Sequence, residues 1–100
     1  MFVHHVFFWL NEGLGKEDVE KFENGVRSLL TIDCLNAGDI GKPASTNRPV
    51  IDRSYSYSLL TMFDDIEAHD IYQEHPVHLK FINECKHLWT KVQIYDSETV

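Results

Sequence analysis

The sequence predicts an α+β sandwich of chain order β-α-β-β-α-β, built on one antiparallel four-stranded sheet. Three observations lead there. Residues 2–10 and 55–63 are rich in Val, Phe, Tyr, Leu and Trp, which suit a pleated surface. Each is followed by apolar residues at helical spacing, in residues 16–32 and 66–88. The chain has 100 residues and is 43% hydrophobic, so residues 1–100 make one domain with its own core.

Residues 2–10 are the first strand. Phe2, Val6, Phe8 and Leu10 share one side with His4; Val3, Phe7 and Trp9 share the other with His5. Antiparallel sheets usually leave one face to water, and this strand offers none. Helices are expected to cover one side and a second copy of the chain the other. Residues 11–15 form a turn. Residues 16–32 form an amphipathic helix through Val19, Phe22, Val26, Leu29 and Leu30, with Glu17 and Asp18 complementing the dipole of its first turn. Gly25 costs that helix about 1 kcal/mol relative to Ala, which marks close packing, here expected against a strand. Residues 34–42 are a weaker strand, interrupted by Gly38 and Gly41. Residues 43–53 are a loop holding Pro43, Pro49 and the cations Arg48 and Arg53.

In residues 55–63, Tyr55, Tyr57, Leu59, Thr61 and Phe63 share one face, and Ser58, Leu60 and Met62 share the other. Asp64 or Asp65 caps a short helix over residues 66–74. Pro76 is placed to open a further helix, whose stripe is His78, Phe81, Ile82, Cys85 and Leu88. Residues 92–96 close the sheet, with Val92 and Ile94 facing in. This order is the ferredoxin-like arrangement. Its uncovered sheet face is expected to pair with its copy in a homodimer.

Charge and motifs exclude several functions. Sixteen acidic residues against nine Lys and Arg give a net charge of −7, and the cations are scattered. Nucleic acid and anionic membranes need a basic patch, so neither is an expected partner. Cys34 and Cys85 read as buried free thiols of a reducing compartment, and the apolar opening run is too short to span a bilayer. A cytoplasmic protein is expected. Residues 38–42 lack the spacing of a phosphate loop, and no Gly-x-Ser-x-Gly elbow exists. No cofactor is expected.

The only local cluster with acid–base chemistry is Tyr72-Gln73-Glu74-His75-Pro76-Val77-His78. Pro76 pushes His75 out of the α region, so two helical pieces meet there and aim Tyr72 and His78 into one cleft. A histidine can take or give a proton near neutral pH, and a tyrosine can donate to a developing enolate oxygen. Against this stands a purely structural role, with His75 as a cap and His78 satisfying a buried backbone group. His75 and His78 are also half a metal site at helical spacing, completed by His5 or a carboxylate; no metal is the preferred reading. His5 sits among Val3, Phe7 and Trp9, and Tyr57 is expected on the neighbouring strand. Phe7, Trp9, Phe81 and Trp89 are core or cavity wall.

The Val3-His4-His5-Val6-Phe7-Phe8 strand, the segment ending in His75-Pro76-Val77-His78, Phe81, Trp89 and the closing Val92-Gln93-Ile94-Tyr95-Asp96 strand carry a resemblance. Over nearly its whole length the chain resembles the stress-responsive A/B barrel (Dabb) family. The resemblance implies a ferredoxin-like protomer whose sheets pack into a dimeric α+β barrel. Plant members are associated with stress protection. Some relatives are cofactor-free polyketide cyclases, in which a tyrosine and a histidine corresponding to Tyr72 and His78 act, with the equivalent of His5 lining the same pocket. Those cyclases carry a further histidine where this chain has Tyr57.

Three functions follow as expectations. The first is a dimer binding a small apolar or aromatic ligand between helices and sheet, lined by His5, Phe7, Trp9, Tyr57, Phe81 and Trp89. The second is a cofactor-independent lyase or cyclase with His78 as general base and Tyr72 as oxyanion donor. The third is a stress-protective assembly protein without catalysis. Cavity volume separates them, since a drug-sized ligand needs hundreds of cubic ångströms.

Overall fold

The sheet is organised by β1 (Phe2–Leu10), which is hydrogen-bonded on both edges. A computed structural model describes residues Met1–Val100. After β1 come α1 (Lys16–Leu29), β2 (Ala37–Gly41), β3 (Tyr57–Phe63), α2 (Ile66–Glu74), α3 (Pro76–Cys85) and β4 (Trp89–Glu98), with one 3₁₀ turn over Lys86–Leu88. The strand order is β2-β3-β1-β4, every neighbouring pair antiparallel. This is the ferredoxin-like α+β fold that the sequence predicts.

The register decides which residues meet the helices. Phe2 pairs with Phe63, His4 with Thr61, Val6 with Leu59 and Phe8 with Tyr57. All eight are buried, so this is the helix-covered face. Phe22, Val26 and Leu29 of α1 and Phe81 and Cys85 of α3 pack onto it. Phe8 and Phe22 meet edge to face at 5.1 Å, and Phe81 stacks on Trp89 at 5.7 Å. Thr61 satisfies its buried hydroxyl by donating to the His4 carbonyl at 2.7 Å. The other face carries Val3, Phe7, Trp9, Leu60 and Met62, all half-buried, with no helix over them.

Several boundaries differ from the sequence expectations. α1 ends at Leu29 rather than residue 32, because the next three amide groups donate to carbonyls three residues back. β2 covers five residues, since Leu35 still closes a turn onto Ile32 and pairing begins only after Asn36 N donates to Met62 O. Gly38 is needed there: a β-carbon would sit 2.8 Å from Leu30 Cδ2 and 3.0 Å from Leu60 O. β3 starts at Tyr57, and Tyr55 lies on the opposite face, with its ring 4.9 Å from Phe7. Strand alternation holds only where pairing is regular, and that begins opposite Phe8.

β4 is longer than expected and less covered. Val92 and Ile94 point to the helix side opposite Phe8 and Val6, yet are 41% and 44% exposed. β4 is one of the two edge strands of the sheet.

Gly25 packs against a helix, not a strand. A β-carbon there would lie 2.9 Å from the Phe81 ring and 3.0 Å from Cys85 Sγ, so its absence lets α1 and α3 touch. Gly25→Val is therefore expected to destabilise by about 1–3 kcal/mol through overpacking, outweighing the helix propensity gained over Gly. Urea unfolding would measure this; an unchanged midpoint would contradict the tight helix contact.

Candidate functional site

The break between α2 and α3 is local chemistry. Asp65 caps α2 by accepting from Ala68 N at 2.9 Å. Pro76 occupies the first turn of α3, where its missing N–H is harmless, and holds His75 extended at φ −62°, ψ 140°. His75 then serves both helices. Its amide donates to Tyr72 O at 3.2 Å, and its Nδ1 accepts from Val77 N at 3.1 Å. That employment removes His75 from any metal pair with His78.

The turn brings Tyr72 and His78 together, edge to face with ring centroids 4.9 Å apart. Tyr72 is 1% exposed, held also by Phe63 at 5.1 Å. Both line a cavity of about 140 Å³ between helices and sheet. Its polar lining is His4, Tyr72, Gln73 and His78; Phe81 and Trp89 form part of the apolar wall. A larger depression of about 590 Å³ runs between α1 and α3, but it is an open groove holding none of these four.

The protons in the cavity follow from the partners. His4 Nδ1 lies 2.6 Å from Asp96 Oδ1, and His69 Nδ1 lies 3.1 Å from Asp70 Oδ1. A carboxylate only accepts, so each Nδ1 carries a proton. In the neutral ring each Nε2 is then a lone pair. Both meet one atom, the Gln73 amide nitrogen, at 3.3 Å from His4 and 3.0 Å from His69. Gln73 Nε2 has two hydrogens to give, so the network is complete.

Burial lowers the His4 pKa, outweighing the opposing hydrogen bond and charge of Asp96. It also lowers that of His78, helped by the nearby His4 and His69. Both rings are thus neutral near pH 7. Tyr72 is pushed well above the usual phenol range, chiefly by burial, and stays a donor. His78 Nδ1 is buried without a hydrogen-bond partner. The site can donate from a phenol and accept at an imidazole, both against an apolar wall.

The structure gathers Tyr72, His78, Phe81 and Trp89, and separates the other expected lining residues. His5, Phe7 and Trp9 lie on the open sheet face: His5 stacks on Phe7 at 4.4 Å, and Trp9 Nε1 donates to Ser54 Oγ at 3.1 Å. The expectation that His5 shares the pocket of Tyr72 and His78 is corrected, because strand parity turns His4 there instead. Tyr57 is on the helix side but at its far end, against Phe22 at 5.2 Å and donating to Glu23. Burial and that bond push its pKa up to about 12, and it does not line the cavity. Sequence reasoning passed over His4, His69 and Gln73. Both stripes of β1 are apolar, so the strand alone does not say which histidine turns inward. The His69-x-x-x-Gln73 spacing on α2 was a legible signal of side chains on one helical face.

Fold and site together define a small α+β protein with a histidine-lined cavity between helices and sheet and an uncovered sheet face. The model of the stress responsive A/B barrel domain matches residues 2–99, and the chain belongs to that family. Among curated proteins no sequence matches it. Among solved structures it is similar to a protein from Arabidopsis thaliana (22% identity, 100% of this chain and 96% of that one, TM-score 0.81). It is also similar to a dimeric ferredoxin-like protein of unknown function from Thermobifida fusca (16% identity, 98% and 90%, TM-score 0.78). A third is the hydroxynitrile lyase from Passiflora edulis (17% identity, 99% and 95%, TM-score 0.77). At these identities the likeness is one of fold. No helix is long and apolar enough to cross a membrane.

A pH dependence follows from the depressed histidines. The unfolded chain takes up protons near pH 6.5, whereas folded His4 and His78 resist them to lower pH. The unfolded state then binds more protons, so stability falls as pH drops from about 7 toward 5. His5, lowered by burial, adds to the same slope. Thermal melts across that range are expected to show the loss, and His78→Leu to flatten it. A pH-independent midpoint above the carboxylate range would contradict the buried neutral rings.

Proposed function

We propose that this chain works as a homodimer that binds a compact, partly aromatic ligand in the cavity between helices and sheet. The carrying observation is the cavity itself: Tyr72 and His78 converge on about 140 Å³ of space walled by Phe81, Trp89 and aliphatic side chains. Apolar cavities near 150 Å³ admit a benzene-sized molecule. Drug-sized ligands need about 300 Å³ or more. A small ring or carbonyl compound therefore suits the space better than a linear polyketide. The buried, unpaired His78 Nδ1 supports a ligand as well. Such an atom costs about 1–3 kcal/mol, part of which a hydrogen-bonding guest recovers.

The dimer reading rests on the open face. Val3, Phe7, Trp9, Leu60 and Met62 form an apolar patch without cover, and patches of that kind mark interfaces. Structurally similar proteins are described as dimeric. Sedimentation at micromolar concentration is expected to show a dimer, and Leu60→Asp a monomer. A monomeric wild type would remove this part of the reading.

The second reading is a cofactor-independent lyase. Tyr72, kept protonated, donates to the oxygen on which charge develops, and His78 moves the proton. The hydroxynitrile lyase among proteins of this fold favours a small substrate over the cyclase version. A panel of small aromatic aldehydes, ketones and cyanohydrins, screened for binding and turnover, tests both readings. For any compound turned over, His78→Ala is expected to lose at least about 100-fold in kcat while remaining dimeric. Turnover like wild type would exclude His78 from the chemistry. Binding without turnover would leave the first reading standing and remove the second.

A further inference from the structure

At one end of the cavity, two imidazoles from different elements present their free nitrogens to the same point. His4 comes from the middle of β1 and His69 from the first turns of α2. Each has its Nδ1–H engaged by a carboxylate, at 2.6 Å to Asp96 and 3.1 Å to Asp70, so each neutral ring presents Nε2 as a lone pair. The two Nε2 atoms share the Gln73 amide nitrogen, at 3.3 and 3.0 Å. One donor atom from each of His4, His69 and Asp96 lies within 4.8 Å of the other two.

The rings are fixed by packing. His69 lies 4.6 Å from Phe2, 5.6 Å from Phe63 and 4.7 Å from His4, centroid to centroid. The His4 side chain is 4% exposed and that of His69 12%. Neither ring can swing into water without opening the core beside Phe63. A carboxylate on the far nitrogen of a ring is the outer support that histidine ligands of a metal ion regularly have, since it sets the tautomer and raises the basicity of the ligating nitrogen.

We propose that His4 Nε2, His69 Nε2 and the Gln73 side-chain oxygen form a binding site for a divalent transition-metal ion of the zinc type. The apo arrangement uses the amide of Gln73 as a placeholder, its two hydrogens satisfying two lone pairs. Turning that amide about its terminal bond exchanges nitrogen for oxygen and adds a third donor. The ion would sit among these three donors, its bonds to imidazole being about 2.0–2.1 Å. Imidazole nitrogens with one amide oxygen suit zinc, copper or nickel rather than magnesium or calcium, which take oxygen ligands. Water from the cavity fills the remaining position. Asp96, with a side chain 43% exposed, holds the far nitrogen of His4 from the solvent side. His4 and Gln73 also line the cavity beside Tyr72 and His78, whereas His69 lies outside that lining, so the ion would sit at the cavity's edge.

The test is titration of the purified full chain with Zn²⁺, by calorimetry and by competition against a chromophoric chelator, with Co²⁺ absorption reporting the coordination. Wild type is expected to bind one ion per chain with a dissociation constant of about micromolar or tighter. His69→Ala removes a ligand and should weaken binding by more than the roughly 10- to 100-fold that losing an outer partner costs. Asp96→Asn should fall within that range. Gln73→His, four residues from His69 on one helical face, should tighten binding. His4 is buried, so the His69 and Gln73 variants carry the decision, with circular dichroism confirming their fold. An affinity equal in wild type and His69→Ala would place the ion on a surface histidine such as His87 and overturn the site. So would the absence of binding at tens of micromolar zinc. Loss of zinc binding in His69→Ala with ligand binding intact would support the site and show that the guest binds without the ion.

Discussion

β1 is paired along both edges, and its register governs everything that faces the helices. His4 sits opposite Thr61 on one side and Asp96 on the other. A shift of one residue would exchange every side chain between the faces. It would send His5, Phe7 and Trp9 under the helices and turn His4 out. What holds the register is the packing of Phe2, Val6 and Phe8 against Phe22, Phe63 and Phe81, together with the bond from Thr61 to the His4 carbonyl. The cavity is therefore a consequence of strand pairing as much as of the helical segment that borders it. Asp96 reaches His4 only because the edge strand β4 runs antiparallel beside it.

The helical border depends on a proline. Pro76 denies His75 a helical conformation, and His75 responds by capping both neighbours. The result is a corner, with Tyr72 before it and His78 after it, their rings in edge contact. A continuous helix would carry these two side chains six residues apart, on divergent faces. The same corner leaves His69 and Gln73 on the stretch of α2 that crosses β1, which is why both reach His4. Burial lowers the pKa of His4 and His78, and a neutral imidazole has a lone pair to offer.

Much of the architecture was legible in the residues. Alternation in residues 2–10, the helical spacing of Phe22, Val26 and Leu29, the cap at Asp65 and the start at Pro76 are local signals, each with a local cause. The late starts of β2 and β3 were not. Gly38 makes its close approach to Leu30 and Leu60, and Tyr55 crosses to the far face for contact with Phe7. Both depend on partners distant in sequence. The same holds for the site. Tyr72, His78, Phe81 and Trp89 lie within one stretch of chain, and their meeting follows from helical spacing around a known break. His4 enters from the other end of the molecule.

The sequence by itself determined the element order, the corner at His75 and Pro76, and the family to which the chain belongs. It determined, too, that β1 needs cover on both faces, because both of its stripes are apolar. Only the tertiary structure decided which stripe the helices take, since a strand apolar on both sides has no intrinsic inside. That choice places His4 rather than His5 beside Tyr72 and His78, and sets its two nitrogens between Asp96 and Gln73. It also limits the cavity to a compact guest. Volume is what remains after side chains from β1, β3, β4 and three helices have packed, and no local pattern encodes it.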